Sequence, residues 1–190
     1  SYHNVFGHTK HVISNGNLQE EFNTSDHILN GSAYVGGQEH FYLECHNALV
    51  IPNENDDFII YSSTQNPSVT QQEIAHILNI DANKVSCHVK RLGGGFGGKE
   101  TRSVNIAAYA AIAAKELLQP IRITLERDVD MSITGQRHPF KCIYKVGFQK
   151  NGQLKALDIN LYNNAGYSLD LSMAVMDRAL FHIDNVYKWP

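Results

Sequence analysis

The sequence lacks the features that define several large classes of protein. Its 190 residues contain only three cysteines, Cys45, Cys87 and Cys142, and no Cys-x-x-Cys pair. Its ten histidines include no His-Glu-x-x-His motif. A disulfide framework and a zinc site of the usual ligand spacing are therefore both disfavoured. Three cysteines that lie far apart favour reduced thiols and a cytoplasmic protein.

The sequence also lacks any concentration of charge or of apolar residues. Charged residues make up 18% of the chain and the formal net charge is -3, so no basic field recruits nucleic acid or anionic lipid. The longest apolar run, near residues 106–114, is too short and too interrupted to span a membrane. The hydrophobic fraction of 43% is typical of a globular protein. We therefore expect neither nucleic acid nor a membrane among its partners.

Short strand patterns and helical patterns alternate along the chain. Two strands are predicted within residues 32–52, and one each at 58–61, 85–92 and 121–125. Residues 140–149 and 153–163 are predicted to form a hairpin across Asn151-Gly152. Helices are predicted from Pro67 onward, with Ser68 and Gln71 as a capping box, and at 101–118 and 169–180. This order predicts an α+β fold, a mixed sheet with flanking helices. Residues 1–30 are polar and are interpreted as a lead-in segment or linker.

One loop stands out, because residues 93–98 read Gly-Gly-Gly-Phe-Gly-Gly between a predicted strand and the alanine-rich helix. A tight turn is the simplest interpretation, but such a turn needs one or two glycines. Five glycines in six positions indicate a backbone that approaches a ligand closely and directs its N–H groups at an oxygen or anion.

Two nucleotide-binding patterns nearly fit this loop. Gly93, Gly95 and Gly98 satisfy the dinucleotide fingerprint, but a helix occupies the stretch where its acidic residue belongs. The loop also approximates a P-loop ending in Lys99, but Glu100 stands where that motif has serine or threonine. A carboxylate at this position repels phosphate and offers magnesium no hydroxyl. Both nucleotide interpretations are therefore weakened at a specific residue.

A third interpretation comes from a resemblance to a known family. Residues 91–102 (RLGGGFGGKETR) resemble the molybdopterin-domain motif of the molybdenum hydroxylases, which include xanthine dehydrogenases and aldehyde oxidases. Four further segments resemble the same family in the same order: 36–44 (GGQEHFYLE), 63–66 (STQN), 134–140 (TGQRHPF) and 177–182 (DRALFH). The resemblance implies that residues 31–190 are the N-terminal part of a larger molybdopterin-binding domain, and we expect the chain to be an internal fragment.

The resemblance assigns cofactor-binding roles to Gln65, Phe96 and Gly97. Gln65 would donate a hydrogen bond to a molybdenum oxygen ligand without adding charge. The backbone N–H of Phe96 would contact a cofactor oxygen, so that these residues reach the molybdenum ligand shell through hydrogen bonds alone. The competing interpretations are a turn glutamine for Gln65 and a core aromatic for Phe96.

Substrate binding is implied for Glu100 and Arg178. Glu100 would hydrogen-bond a purine, and Arg178 would neutralise charge that gathers on the purine carbonyl oxygen. Alone, Glu100 reads as a first-turn carboxylate stabilised by the helix dipole, and Arg178 as a solvated helix residue. Aldehyde oxidases of the family generally carry uncharged residues at both positions, so the pair favours xanthine and hypoxanthine.

The resemblance implies an oxidoreductase of purine catabolism that converts hypoxanthine to xanthine and then to urate at molybdenum-molybdopterin. In the full-length protein the electrons would pass through 2Fe-2S clusters to FAD and NAD, in a cytoplasmic or peroxisomal homodimer. The general-base glutamate is expected downstream, so the fragment holds no catalytic residue and should be inactive alone. The alternatives are an aldehyde oxidase-type hydroxylase, a P-loop-like nucleotide binder, or a partner-binding module that uses residues 34–43.

Overall fold

The computed structural model describes residues 11–189. In that range the chain divides into two compact units, a terminal unit of residues 11–37 and 138–189 and a central unit of Gln38–Arg137. Five α-helices and seven strands are described: α1 Leu18–Asn23, β1 His27–Val35, β2 Asn47–Pro52, β3 Phe58–Ser62, α2 Pro67–Leu78, β4 Val85–His88, α3 Ser103–Leu117, β5 Ile121–Thr124, α4 Arg127–Ile133, β6 Phe140–Phe148, β7 Leu154–Asn163 and α5 Ser172–Phe181. Short 3-10 turns lie at Glu54–Asp56 and Ala82–Lys84.

The central unit is a four-stranded mixed sheet that α2 and α3 cover. Its strand order is β4-β3-β2-β5, in which β3 and β4 run parallel and the other neighbours run antiparallel. Alternate residues of β3, Phe58 and Ile60, are buried, because successive side chains of a strand point to opposite faces. They pack with Ile74 of α2 in one apolar core.

Helix α3 lies against this sheet because its inward side chains are small. Ala107, Ala110, Ala111 and Ala114 are fully buried and recur at the i, i+3, i+4, i+7 spacing of one helix face. Alanine also has the highest helix propensity, so the same residues favour the helix and let its backbone approach the strands.

The terminal unit is a three-stranded antiparallel sheet in the order β1-β6-β7. Strands β6 and β7 form the hairpin that Asn151-Gly152 predicts, with Gly152 at a φ of 87°. Helix α1 lies on this sheet and buries Phe22, and Gly147 leaves room for that ring.

The fold class that the sequence predicts, α+β with a mixed sheet and flanking helices, is confirmed. The predicted capping box is wrong, because Asn66, and not Ser68, accepts a hydrogen bond from the N–H of Val69, with Pro67 at the first helical position. The strand predicted at 85–92 ends at His88, and α4 was not predicted.

The division predicted at residue 30 stays a prediction. Helix α1 and the start of β1 precede it, and the first ten residues of the predicted lead-in lie outside the described range. No helix within residues 11–189 has the length and the apolar character needed to cross a membrane.

Candidate functional site

The glycine loop lies where two parallel strands end. Strand β3 leads into residues 63–66 and then α2, while β4 leads into residues 89–102 and then α3. Because β3 and β4 are paired in parallel, with Tyr61 opposite His88, their carboxyl ends share one edge of the sheet. Ligands of open sheets bind outside the carboxyl ends of such strands. The topology therefore brings Gln65 next to the glycine loop.

Gln65 is fixed against this loop by its side-chain oxygen. Its Oε1 accepts hydrogen bonds from the N–H of Gly97 at 2.9 Å and of Lys99 at 3.2 Å, and its own N–H donates to the carbonyl of Lys99 at 2.8 Å. Both side-chain contacts come from donors, so the oxygen end of the amide faces the loop. The Nε2 end donates to none of residues 11–189, and Gln65 is an exposed residue, so this donor is available to a ligand.

Two glycines show why this loop tolerates few side chains. A Cβ on Gly95 would lie 2.6 Å from Cδ of Gln65, so any larger residue would displace that amide. Gly97 has a φ of 91° and no atom near its virtual Cβ, so its requirement is conformational. One glycine is needed for space and the other for its backbone angle.

Phe96 occupies the exposed tip of the loop. Its φ is 54°, a left-handed conformation that costs a residue with a Cβ roughly 1–2 kcal/mol. Its side chain is 74% exposed, so the interpretation of Phe96 as a core aromatic is wrong. Its backbone N–H donates to no residue in the described part of the chain and is available to a ligand.

Lys99 points away from solvent. Its ammonium is fully buried and donates to the carbonyl of Glu44 and to Oγ of Ser63, each at 2.6 Å. A P-loop lysine must reach the phosphates of a nucleotide. This lysine is already enclosed by protein acceptors, which weakens the P-loop interpretation further.

Glu100 and Arg178 belong to different units. Glu100 is half-buried and lies ahead of α3, whose first residue is Ser103, so the first-turn interpretation of Glu100 is wrong. Its carboxylate forms no hydrogen bond or ion pair with residues 11–189. Arg178 is exposed on α5 of the terminal unit. Their pairing across a substrate stays a prediction.

The sequence did not predict a buried polar network in the central unit. Asp130 of α4 accepts hydrogen bonds from the hydroxyl of Tyr42 and, at 2.6 Å, from the N–H of His46, whose ring nitrogen Nδ1 lies 3.0 Å away. Thr134 donates to the Asp130 carbonyl at 2.6 Å. Asp130 is separated from His46 by 84 positions, and no spacing rule in the sequence connects them.

Burial sets the titration of this network. It raises the pKa of Tyr42, and the hydrogen bond to Asp130 adds to that shift. It lowers the pKa of His46 although the Asp130 carboxylate opposes it. Burial alone would raise the pKa of Asp130, but hydrogen bonds from Tyr42 and His46 lower it below its ordinary value.

No side-chain cluster suited to direct metal coordination occurs within residues 11–189, where three or more His, Cys, Asp or Glu nowhere converge. The loop instead offers hydrogen-bond donors, the N–H of Phe96 and Nε2 of Gln65, at the carboxyl ends of two parallel strands. Donors of this kind, from the backbone and one amide, are suited to an oxygen-bearing ligand.

Comparison with known proteins identifies the family. The model of the molybdopterin cofactor-binding domain matches residues 2–190, and the chain belongs to that family. It is 53% identical over 180 residues to a xanthine dehydrogenase of Dictyostelium discoideum and 49% identical over 179 residues to a xanthine dehydrogenase/oxidase of Felis catus. These matches cover 95% and 94% of the chain, and the chain spans 13% of each relative.

A relative with another activity is almost as similar. A nicotinate hydroxylase of Emericella nidulans is 48% identical over 174 residues, which is 91% of the chain and 13% of that protein. Among solved structures, quinoline 2-oxidoreductase from Pseudomonas putida 86 matches with a TM-score of 0.73 at 21% identity, over 92% of this chain and 22% of that one. This structural likeness supports the fold alone.

Proposed function

We propose that the chain is the N-terminal part of the molybdopterin-binding domain of a xanthine dehydrogenase-like enzyme that hydroxylates purines, hypoxanthine to xanthine and xanthine to urate. The observation that carries the proposal is the orientation of Gln65, whose oxygen is bound by the glycine loop and whose nitrogen is left as a donor. Support also comes from the relatives called xanthine dehydrogenase, one of them 53% identical.

The donors of the loop fit a molybdopterin cofactor. Nε2 of Gln65 and the N–H of Phe96 would each donate to an oxygen of the bound group, and neither adds a charge that would shift the metal's potential. Gly97 contributes indirectly, because its N–H holds the oxygen of Gln65. When bound, the cofactor supplies the redox chemistry of hydroxylation, and these residues orient it.

Glu100 and Arg178 are proposed to bind the purine. The Glu100 carboxylate has no partner among the described residues and is free to accept a hydrogen bond from a ring N–H. Arg178 would stabilise negative charge on the purine carbonyl oxygen during attack. The general base, the 2Fe-2S clusters, FAD and NAD would come from the rest of a homodimeric, cytoplasmic or peroxisomal protein.

Nicotinate hydroxylation is the second candidate, because one relative at 48% identity carries that name. Overall sequence identity to the two relatives is therefore too similar to decide between purine and nicotinate as the substrate. An arginine at position 178 could equally bind the carboxylate of nicotinate. Purine turnover is preferred because Glu100 would repel that carboxylate while accepting a hydrogen bond from a purine.

Replacement of Arg178 and of Glu100 in the full-length protein, with turnover measured on two kinds of substrate, tests the proposal. Arg178→Met should reduce xanthine turnover by about 10²–10³, the usual effect of removing one charge-stabilising donor. Glu100→Val should reduce it by about 10²–10⁴ if the carboxylate also moves a proton. An aromatic aldehyde needs neither group, so its turnover by both variants should persist or rise.

The outcomes separate the candidates. An equal loss on xanthine and on the aldehyde would show that both residues support the fold or the cofactor. Turnover of nicotinate by the unmodified protein, with none of xanthine, would replace the purine assignment.

Removing the amide of Gln65 tests the cofactor assignment. Gln65→Ala should lower turnover about 10 to 100-fold, the range expected when an outer-shell partner of a metal ligand is lost. Molybdenum content, measured by mass spectrometry, should stay near that of the unmodified protein. Full turnover at full molybdenum occupancy would remove Gln65 from the site.

A further inference from the structure

Lys99 is the most deeply buried charged side chain of the central unit. Its side chain is 0% exposed, and its ammonium donates to the Glu44 carbonyl and to Oγ of Ser63, each at 2.6 Å. The carboxylate oxygen Oε2 of Glu44 lies 3.5 Å away, and the ring of Tyr42 lies 4.6 Å from Nζ. An ammonium has three donors, and three oxygen atoms surround this one.

Such burial is costly unless it is compensated. Removing an ammonium from water costs several kcal/mol, and only close acceptors and an opposite charge offset this. Burial lowers the pKa of Lys99, and the Glu44 carboxylate opposes the shift. A lysine on the surface would avoid this penalty. The groups that the buried Lys99 contacts therefore indicate its role.

Its partner Glu44 holds the first residue of the glycine loop. Oε2 of Glu44 accepts from the N–H of Gly93 at 2.7 Å, and the N–H of Glu44 donates to the Gly93 carbonyl at 3.1 Å. A Cβ on Gly93 would lie 3.2 Å from the same carboxylate oxygen. The hydroxyl of Ser63 donates to Oε2 at 3.0 Å and accepts from the Lys99 ammonium, so it links the two charged side chains.

Lys99 itself ends the loop and fixes the segment beside it. Its carbonyl accepts from the N–H of Gln65 at 2.8 Å, from Thr64 Oγ1 at 3.2 Å and from Ser103 Oγ at 3.0 Å. Its N–H is one of the two donors to Gln65 Oε1. The residue that follows it is Glu100.

We propose that the buried Lys99 and the partly exposed Glu44 form a clamp that joins the two ends of the glycine loop and positions the donors Phe96 N–H and Gln65 Nε2. The clamp residues are positioning residues and do not touch the substrate. The identity of what the donors bind rests on the proposed function, but the order of the loop can be measured without any cofactor.

Hydrogen exchange of the full-length protein, prepared without cofactor, tests the clamp. Lys99→Met should accelerate exchange of the amides in residues 93–99 by at least about tenfold, because it removes the donor that joins the loop ends and leaves buried acceptors unpaired. Amides of β3, measured in the same sample, should change much less. Glu44→Gln keeps the shape but leaves the buried Lys99 ammonium without its opposite charge, so it should also accelerate exchange of the loop amides.

The double variant Lys99→Met/Glu44→Gln separates charge from packing. If the pair acts through its charges, the double variant should exchange no faster than Lys99→Met alone, because no uncompensated charge remains. The matched control is Lys155→Met, which removes a partly exposed Lys–Glu pair of 2.7 Å with Glu21 in the terminal unit. It should leave the loop unchanged.

Two results would overturn the clamp: unchanged loop exchange in Lys99→Met, or the same acceleration in Lys155→Met. If Lys99→Met fails to fold, additive effects of Glu44→Gln and Gln65→Ala on loop exchange would overturn it, whereas coupled effects would support it. In the loaded protein, Lys99→Met should also lower molybdenum content. If Lys99→Met loosens the loop but the unmodified full-length protein does not turn over purines, the proposed function is refuted and the clamp is supported.

Discussion

The central and terminal units of this chain bury their side chains very differently. The whole apolar core cluster lies in the central unit, where two helices cover one face of the sheet. Among the described residues of the terminal unit, only Phe22 and Ala156 are buried apolar side chains. Strand β1 is nine residues long and eight of them are exposed. Strand β1 nevertheless pairs with β6 along its whole length, so its place in the sheet rests on antiparallel pairing more than on its own buried side chains.

Buried polar groups follow the same division. The central unit encloses His46, Lys99 and Asp130, each at most 1% exposed, whereas the terminal unit buries one polar residue among those described, Ser172. Enclosed charges need fixed partners, so they specify one arrangement of the surrounding backbone. The unit that encloses these polar groups is also the one that carries the glycine loop.

The comparison predicts unequal costs for truncating an aliphatic side chain. In the 190-residue chain, Ile60→Ala in β3 should lower the free energy of opening by about 2–5 kcal/mol, because Ile60 is fully buried. Leu29→Ala in β1 should cost about 0.5–1 kcal/mol, since Leu29 is 52% exposed. Native-state hydrogen exchange of strand amides measures both. A loss at Leu29 as large as that at Ile60 would mean that another chain covers this sheet in solution.

Acid should weaken the central unit more than the terminal unit. The folded pKa of His46 is lowered by burial, so the unfolded chain takes up its proton first and stability falls as pH drops below about 6.5. The folded pKa of Asp130 is also lowered, so its contribution is present above about 3.9 and is lost as pH falls through the folded value. Exchange of β3 and β1 amides between pH 7 and about 2 measures the difference, because the Asp130 step lies below about pH 3.9. Asp130→Asn should abolish the lower step, and equal acid sensitivity in both strands would contradict the comparison.

The sequence predicted those parts of the fold that local patterns determine. The Asn151-Gly152 hairpin, the alanine-rich helix and the strand at Phe58–Ser62 follow from turn chemistry, helix propensity and apolar alternation. Helix α4 was missed because it is seven residues long and buries Asp130, so its pattern is not that of an apolar face. Its partners His46 and Tyr42 become visible only when the chain is folded.

The candidate site was predicted from the resemblance, but its geometry was not. Nothing local says that Gln65 turns its oxygen to Gly97, because this contact depends on the parallel pairing of β3 and β4. The same topology decides that Lys99 points inward to Glu44. Sequence reasoning identified the segments, and long-range packing decides which atoms remain available to a ligand.

The smallest predicted effect concerns two equivalent helix caps, one in each unit. Asn66 caps α2 through the N–H of Val69 at 3.2 Å, and Asn17 caps α1 through the N–H of Glu20 at 3.3 Å. Replacing an asparagine cap by alanine costs typically about 1 kcal/mol. Asn66→Ala should therefore accelerate hydrogen exchange of the β3 amides as well as of the α2 amides, because α2 packs in the core of the central unit.

The matched change Asn17→Ala should loosen only α1, a six-residue helix with one buried side chain. Ser68→Ala is the control within α2, because Ser68 is exposed and makes no cap hydrogen bond, so its effect should be near zero. All three are measured by hydrogen exchange of the helix and strand amides. A cost at Ser68 equal to that at Asn66 would restore the capping box that the sequence suggested. Spreading of the Asn17 effect to β6 and β7 would show that the terminal unit unfolds as cooperatively as the central one.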